Sequence, residues 1–554
     1  MRNKFLTTIF TLATGALCMQ GCSKKIDEAY LNPNAPVRVP IETILPGVIG
    51  GLTSFQSANG TLYGVQQDAT YIGRYVQYFT TQTDNENYAR MGGVTGASDI
   101  TGGIWAAVYY GHGKNVNKII EWGTEEEKWD YVGAGWAIRA WGWLELTNQY
   151  NEGVLKEAWN ASLSQFPYDT QPEFYDSCRA TCFRALSFFN RKDGSVNTEN
   201  FAKGDAFFNG GDVNKWKKFV YGILAKTYIN LSAKNLFAAN NYAFADSAIK
   251  YADLAMTSND DNAYVKYAGG LQSHTNNYFG PLRGNMGAYR QCAYIADLMS
   301  GRNSSAFKGV SDPRAWYMLR ENNSGNFQGF IPWRGGNTPG ITTAVYPHNF
   351  WGNFATPNST VAPTVDSSRY IWQNTSPWPM MTASEMQFVK AEALYRKGKK
   401  AEALAAYTNA IGLNFDMLTT VYPQHIPAAN VITPAVKAAY LADPAVVPAL
   451  PDNLTLTHIM LQKYIALYAW GIHQTWVDMR KFHYTDIDEA TGKQVYADFT
   501  PPSGQYAVAT NNGKLVYRCK PRYNSEYLYN VPELTRIGAF ETDYITKECW
   551  FSQK

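Results

Sequence analysis

Charge and cysteine are both scarce in this chain. Only 17% of its 554 residues are Asp, Glu, Lys or Arg, against the ~25% usual in globular proteins. The net charge of +3 falls to +1 if Arg2 and Lys4 leave with an N-terminal leader. Such a surface has no broad field for a polyanion, which excludes a dedicated nucleic-acid binder. Cysteine numbers seven, and five remain beyond residue 22, an odd and sparse set that makes no disulfide framework. Cys178 and Cys182, four apart on a predicted helix, suit packing, and Cys519 with Cys549 is the one pair to test as a disulfide. No Cys-x-x-Cys occurs and the seven histidines never fall at helical ligand spacing, so zinc is not expected. Beyond the leader no run reaches 18 uninterrupted apolar residues, so no helix is expected to cross a membrane. Gly and Pro, 45 and 25 residues, follow no triplet repeat, which excludes a collagenous chain.

Catalytic signatures are missing as well. There is no Gly-x-Ser-x-Gly elbow, no Gly-x-x-x-x-Gly-Lys-Ser/Thr loop and no His-Glu-x-x-His helix. Gly111-His112-Gly113 starts like a dinucleotide loop but lacks the third glycine. The acid runs Asp260-Asp261 and Glu125-Glu126-Glu127 read as solvated surface, since glycoside hydrolysis needs two carboxyls set across a bond. Asp260 and Asp261 also lack the twelve-residue oxygen-ligand loop of a calcium site. The chain reads as a non-enzyme without a cofactor.

What is present begins with the leader. Arg2 and Lys4 precede the short apolar run Phe5–Leu17, and Met19-Gln20-Gly21-Cys22 places a small residue before a cysteine. That resembles a bacterial lipobox, with cleavage after residue 21 and acylation of Cys22. More than one acyl chain there would give a stable anchor.

Aromatics make up 15% of the chain, too much apolar surface for disorder. Helical signals come in pairs. Thr382-Ala383-Ser384-Glu385 predicts a reciprocal capping box. Ala391, Leu394, Gly398, Ala403, Tyr407 and Ala410 then follow at tetratricopeptide-like spacing, small residues allowing close approach and Gly398 turning the chain. A looser copy runs from Trp216 through Ala225, Tyr228, Ala248, Ala252 and Ala255. Tyr131–Gln149 and Leu456–Lys481 can be read the same way. Residues 268–380 differ, being rich in Trp, Tyr, Phe, Gly, Asn and Pro, and a polar loop at 80–103 has a similar character. Loops this long in a compact domain are usually functional. Their rings suit the apolar faces of sugars, and their amides and guanidinium groups suit hydroxyls.

At this point the sequence resembles the SusD/RagB outer-membrane nutrient-binding lipoproteins of Bacteroidota. The resemblance rests on Asn32-Pro33-Asn34-Ala35-Pro36, Ile44-Leu45-Pro46-Gly47 and Trp105-Ala106-Ala107-Val108-Tyr109-Tyr110. It continues through Arg139–Tyr150, Phe166–Gln171, Lys215–Phe219, Met381–Ala393, Gln462–Leu467 and Trp476–Arg480, nearly the whole chain from about Tyr30. Two departures stand out: Asn151-Glu152-Gly153 follows Tyr150 where a Gly-Asp-(Val/Leu)-Pro-like stretch is common, and Lys481 replaces the second Arg of an Asp-x-Arg-Arg ending.

The resemblance implies a mostly α fold, a right-handed bundle of four tetratricopeptide-like helical pairs supporting an irregular loop-rich half with few short strands. On this reading residues 1–21 are the signal peptide and 22–554 one domain, with repeats at about 105–150, 213–256, 382–413 and 456–482. It further implies a lipid-anchored protein of the outer membrane that captures oligosaccharide, ahead of peptide, and caps a SusC-like TonB-dependent transporter. The family's ligand residues lie in variable loops, so the site must come from the residues themselves. The expected shallow site uses Tyr88, Tyr278, Trp333 and Trp351 as exposed rings with Arg283 and Arg334 as donors. Each ring stands beside Gly, Asn or Pro rather than in a periodic apolar pattern.

Overall fold

The computed structural model describes residues 38–56, 62–83, 86–271, 275–304, 306–352 and 358–554. The leader and Cys22 lie outside these residues. No described helix is long and apolar enough to cross a membrane.

The architecture is mostly helical, with four two-stranded antiparallel pairs among the described residues. Trp129–Tyr150 is buried almost all the way round, the mark of a helix with neighbours on every side. Gln171–Phe189 packs on one flank and His112–Glu125 on another. The partner helix 171–189 falls outside the expected first unit at 105–150. It starts from a reciprocal capping box between Thr170 and Glu173, with Pro172 in its first turn, which pre-sets the backbone for helix.

The second pair, Val213–Ile229 with Asn235–Leu254, is present, its second helix broken by non-helical torsions at Ala239–Tyr242. The third pair, Ala383–Arg396 with Lys400–Val421, follows the spacing read from the sequence. Ala391, Leu394, Ala403, Tyr407 and Ala410 are buried, and Gly398 turns the chain at φ +74°, a conformation that costs glycine little. The expected capping box there is only half formed. Thr382 Oγ accepts from the Glu385 amide at 3.1 Å, but Glu385 turns inward, 1% exposed, with Lys226 Nζ 3.5 Å from its Oε1. The fourth unit is open rather than paired: Leu456–Ala466 packs on Ala383–Arg396, and Ile472–Lys481 on Val65–Tyr75.

Charges close the seam between repeats. Lys481 Nζ lies 2.9 Å from Glu392 Oε1 and 3.0 Å from Asp478 Oδ1, and Lys463 Nζ lies 2.7 Å from Asp478 Oδ2, all in the dry interior. Lys481 also donates to Ser232 Oγ.

The loop-rich half has little regular ladder, so its buried carbonyls need other donors. Side chains supply them. Arg290, fully buried, donates to the carbonyls of Gly287, Pro347 and Ser359, and Arg320 to that of Phe350. Asn277 bonds the carbonyls of Ile371 and Ser376. Beneath lies an aromatic stack in which Trp372 is sandwiched between Phe350 (3.9 Å, 8°) and Phe279 (5.3 Å, 6°). The five cysteines from Cys178 onward are all buried free thiols. Cys519 and Cys549 are therefore not bonded to each other; the Cys549 thiol donates to the Tyr517 carbonyl and receives Arg480.

Candidate ligand-binding surface

One short ladder brings the two aromatic loops together. Phe79–Thr81 pairs antiparallel with Tyr289–Gln291, Thr81 opposite Tyr289. The far end of the 80–103 loop is pinned by Asp68, whose carboxylate accepts from the amides of Gly103 and Ile104 and from Gln149 Nε2. It thereby caps the helix Gly103–Tyr109. Burial pushes the Asp68 carboxyl up, against these donors.

Between these two anchors, tyrosines gather around one guanidinium. Arg74, on the helix Val65–Tyr75, donates to the Tyr289 hydroxyl at 2.8 Å and ion-pairs with Glu86. Its guanidinium lies over the rings of Tyr71, Tyr88 and Tyr289 at 5.2–5.9 Å, within cation–π range. Tyr71 and Tyr88 meet at 4.8 Å between centroids. Tyr278 joins the cluster: burial raises its hydroxyl pKa first, and neighbouring Tyr289 and Tyr71 add to it. Arg283 covers the Tyr278 ring at 5.4 Å. Burial likewise holds the Tyr71 hydroxyl up at about 12, so these groups are neutral hydrogen-bonding hydroxyls at physiological pH.

A second group adjoins the first through Gln82, whose carbonyl accepts from the Gly336 amide at 2.9 Å. Gly335, at φ +50°, lies so close that a Cβ would sit 2.3 Å from the same carbonyl, so only glycine lets these loops touch. Trp333 and Arg334 stand half-buried just before this turn, and Arg334 lies over the Tyr506 ring at 4.4 Å. Arg90 ties that C-terminal segment down by donating to the carbonyls of Gln505 and Tyr506.

Of the expected site residues, Tyr88, Tyr278, Arg283, Trp333 and Arg334 share this surface, though in two different ways. Trp333, Arg334 and Arg283 are half-exposed, whereas Tyr88 and Tyr278, expected as exposed rings, are corrections: they are 8% and 6% exposed, Tyr88 packed under Tyr71 and Arg74 and Tyr278 covered by Arg283. Trp351 is a correction. It is 2% exposed, with its indole N–H donating to the Phe279 carbonyl at 2.9 Å, so it is a plug under the 278–280 turn and no stacking platform. Sequence reasoning missed Tyr71, Arg74, Tyr289 and Tyr506. Tyr506 lies two residues after Gly504, with Gln505 and Ala507 as its neighbours, and so lacks the adjacent Gly, Asn or Pro that marked the others; Tyr71 and Arg74 sit on a helix and carry no such signal. Half-exposed rings set beside fixed guanidinium donors can stack on a sugar face and bond its hydroxyls.

Residues 33–503 match the SusD-like family, described as starch-binding and associating with the outer membrane. The fold is shared with a SusD homologue from Bacteroides uniformis (TM-score 0.66, 18% identity, 93% of this chain and 99% of that one). It is shared also with a SusD/RagB-family protein from Bacteroides thetaiotaomicron (0.64, 20%, 93% and 99%). A chitin-binding SusD homologue from Flavobacterium johnsoniae is similar too (0.61, 16%, 93% and 99%). No curated protein sequence matches the chain.

Proposed function

We infer the function from one premise, that this chain belongs to the SusD-like family. On that basis it is a nutrient-binding protein of the outer membrane that captures oligosaccharides and hands them to a SusC-like TonB-dependent transporter. It performs no chemistry on its cargo. Cys22, acylated after removal of residues 1–21, is its anchor.

The observation that carries the ligand class is the juxtaposition of half-exposed Trp333 with Arg334 and Tyr506, next to the Arg74 tyrosine cluster. Rings fixed before the ligand arrives lose little entropy on binding. Starch-type and chitin-type chains, named in the family description and in a relative's title, are the first candidates. The test is calorimetry with maltoheptaose and chitohexaose on the parent and on Trp333→Ala. The variant should keep its melting temperature and lose about tenfold or more in affinity for whichever sugar binds, about 1.4 kcal/mol or more. Parental affinity in the variant, or no sugar bound by the parent, would overturn the reading.

A further inference from the structure

The molecule has a second cleft that shares no residue with the tyrosine surface. It holds about 530 Å³, inside the roughly 300–1,000 Å³ range of small-molecule sites. The helix Gly103–Tyr109, the helix His112–Glu125 and the loop after Tyr150 form its walls, and Glu526 closes one end. Tyr110 and Leu163 are exposed on its walls, by 40% and 37%, and Trp159 faces it half-buried.

The aromatic wall is fixed in advance. Trp159 donates from its indole to the Tyr109 carbonyl at 3.0 Å, and Arg139 covers its ring at 4.5 Å. Its backbone sits at φ +64°, a strained setting that persists only when the surroundings over-determine it. The loop's other end is clamped by Asn530, which bonds both the amide and the carbonyl of Phe166.

Polar groups sit among the cleft's rings. Trp105 lines the cleft with its indole N–H buried toward the Tyr110 hydroxyl, which the Ser525 side chain also approaches, so the Tyr110 ring is held on the wall. At the rim Lys114 and Asn117 add a donor and an amide. A pyranose offers a flat C–H face for the Tyr110 and Trp159 rings and hydroxyl oxygens for these donors.

We propose that this cleft is a second carbohydrate-binding site, so that one glycan chain, or two, can be held at separate points of the molecule. The proposal takes its ligand class from the reading above and is tested apart from it. Hydrogen–deuterium exchange of the full chain with maltoheptaose and with chitohexaose reports two sets of segments: 105–121 with 154–166 for the cleft, and 82–90 with 278–290 and 333–338 for the tyrosine surface. Leu163→Arg, at an exposed wall position, obstructs the cleft without touching the core.

The expected result is protection of both sets in the parent, with Leu163→Arg losing protection at the cleft alone. Where one chain bridges both sites, its affinity should fall about tenfold or more, as linked contacts separate. Protection at the tyrosine surface alone, or a Leu163→Arg variant with parental cleft protection, overturns the cleft proposal and spares the first reading. Protection at the cleft alone does the reverse. No protection in either set overturns both.

Discussion

Replacing Trp351 by alanine separates a structural tryptophan from a ligand-contacting one. The side chain is 2% exposed, and a buried aromatic of this size contributes by removing roughly 150–250 Å² from water. Truncation leaves a cavity beneath the 278–280 turn and orphans the Phe279 carbonyl that Trp351 Nε1 now serves. Large-to-small changes of this kind cost about 3–5 kcal/mol, and the lost hydrogen bond contributes about 1 kcal/mol of that. The unfolding entropy of a cooperative chain this long is about 1 kcal/mol per kelvin, so the melting temperature should drop by only about 3–5 °C. Urea denaturation is therefore the better assay, because the full free-energy loss appears as a shift in midpoint at constant slope. Sugar affinity should fall little below the transition, with Trp351→Phe intermediate in stability. Parental stability together with lost sugar binding would refute the burial argument and return Trp351 to the surface.

Three further expectations follow from the same physics. Cys22→Ala should release the protein from the membrane fraction when the transporter is absent; retention there would contradict acylation of that residue. Lys481→Ala leaves Glu392 and Asp478 facing each other's field without their shared cation and should destabilise by about 3–5 kcal/mol, read by the same denaturation curves, with a near-parental result counting against the seam. His112 is held neutral by burial, its pKa lowered to about 4. The unfolded chain binds that proton near pH 6.5, so the neutral form's contribution is complete above pH 6.5 and is lost as pH falls toward 4. His112→Gln, less stable at pH 7, should close its gap to the parent by up to about 1.4 kcal/mol per pH unit on acidification; a gap independent of pH would refute this.

The repeat scaffold was legible where the chain has a period. In the third pair, small residues and one glycine at fixed offsets left Ala391, Ala403 and Ala410 no face to turn but inward. The capping box was half legible because the motif names the residue at the fourth position but not its direction. Glu385 answers a buried lysine from the neighbouring pair instead, a contact 159 residues away that no local pattern carries. Lys481, a departure from the family's usual arginine, becomes intelligible only when Glu392 and Asp478 are seen to converge on a single ammonium.

The loops were the hard part. A ring beside glycine or proline has no periodicity to say which way it faces. Trp351 precedes Gly352, at φ +75°, and that turn feeds the ring inward against Phe279; Trp333 precedes a similar turn and stays half-exposed. The difference lies in what each turn rests on, and that is decided by chain segments far away. Arg74 and Tyr71 escaped notice because a helix supplies them and only the ladder 79–81 with 289–291 reveals what they face.

That ladder has a consequence for how the protein comes into being. Three residues on each strand hold together stretches more than 200 positions apart, and Arg334 reaches a further 172 to find Tyr506. Closing such distances costs chain entropy before any contact returns it. The rings around Arg74 and Arg334 are therefore expected to meet late, after the local helical pairs have formed. A chain interrupted before residue 500 would lack Tyr506 beside Arg334 and also Phe551, whose amide bonds Gln171 in the first repeat and whose ring lies under Arg480 in the last, so the C-terminal segment completes the candidate surface and the scaffold together.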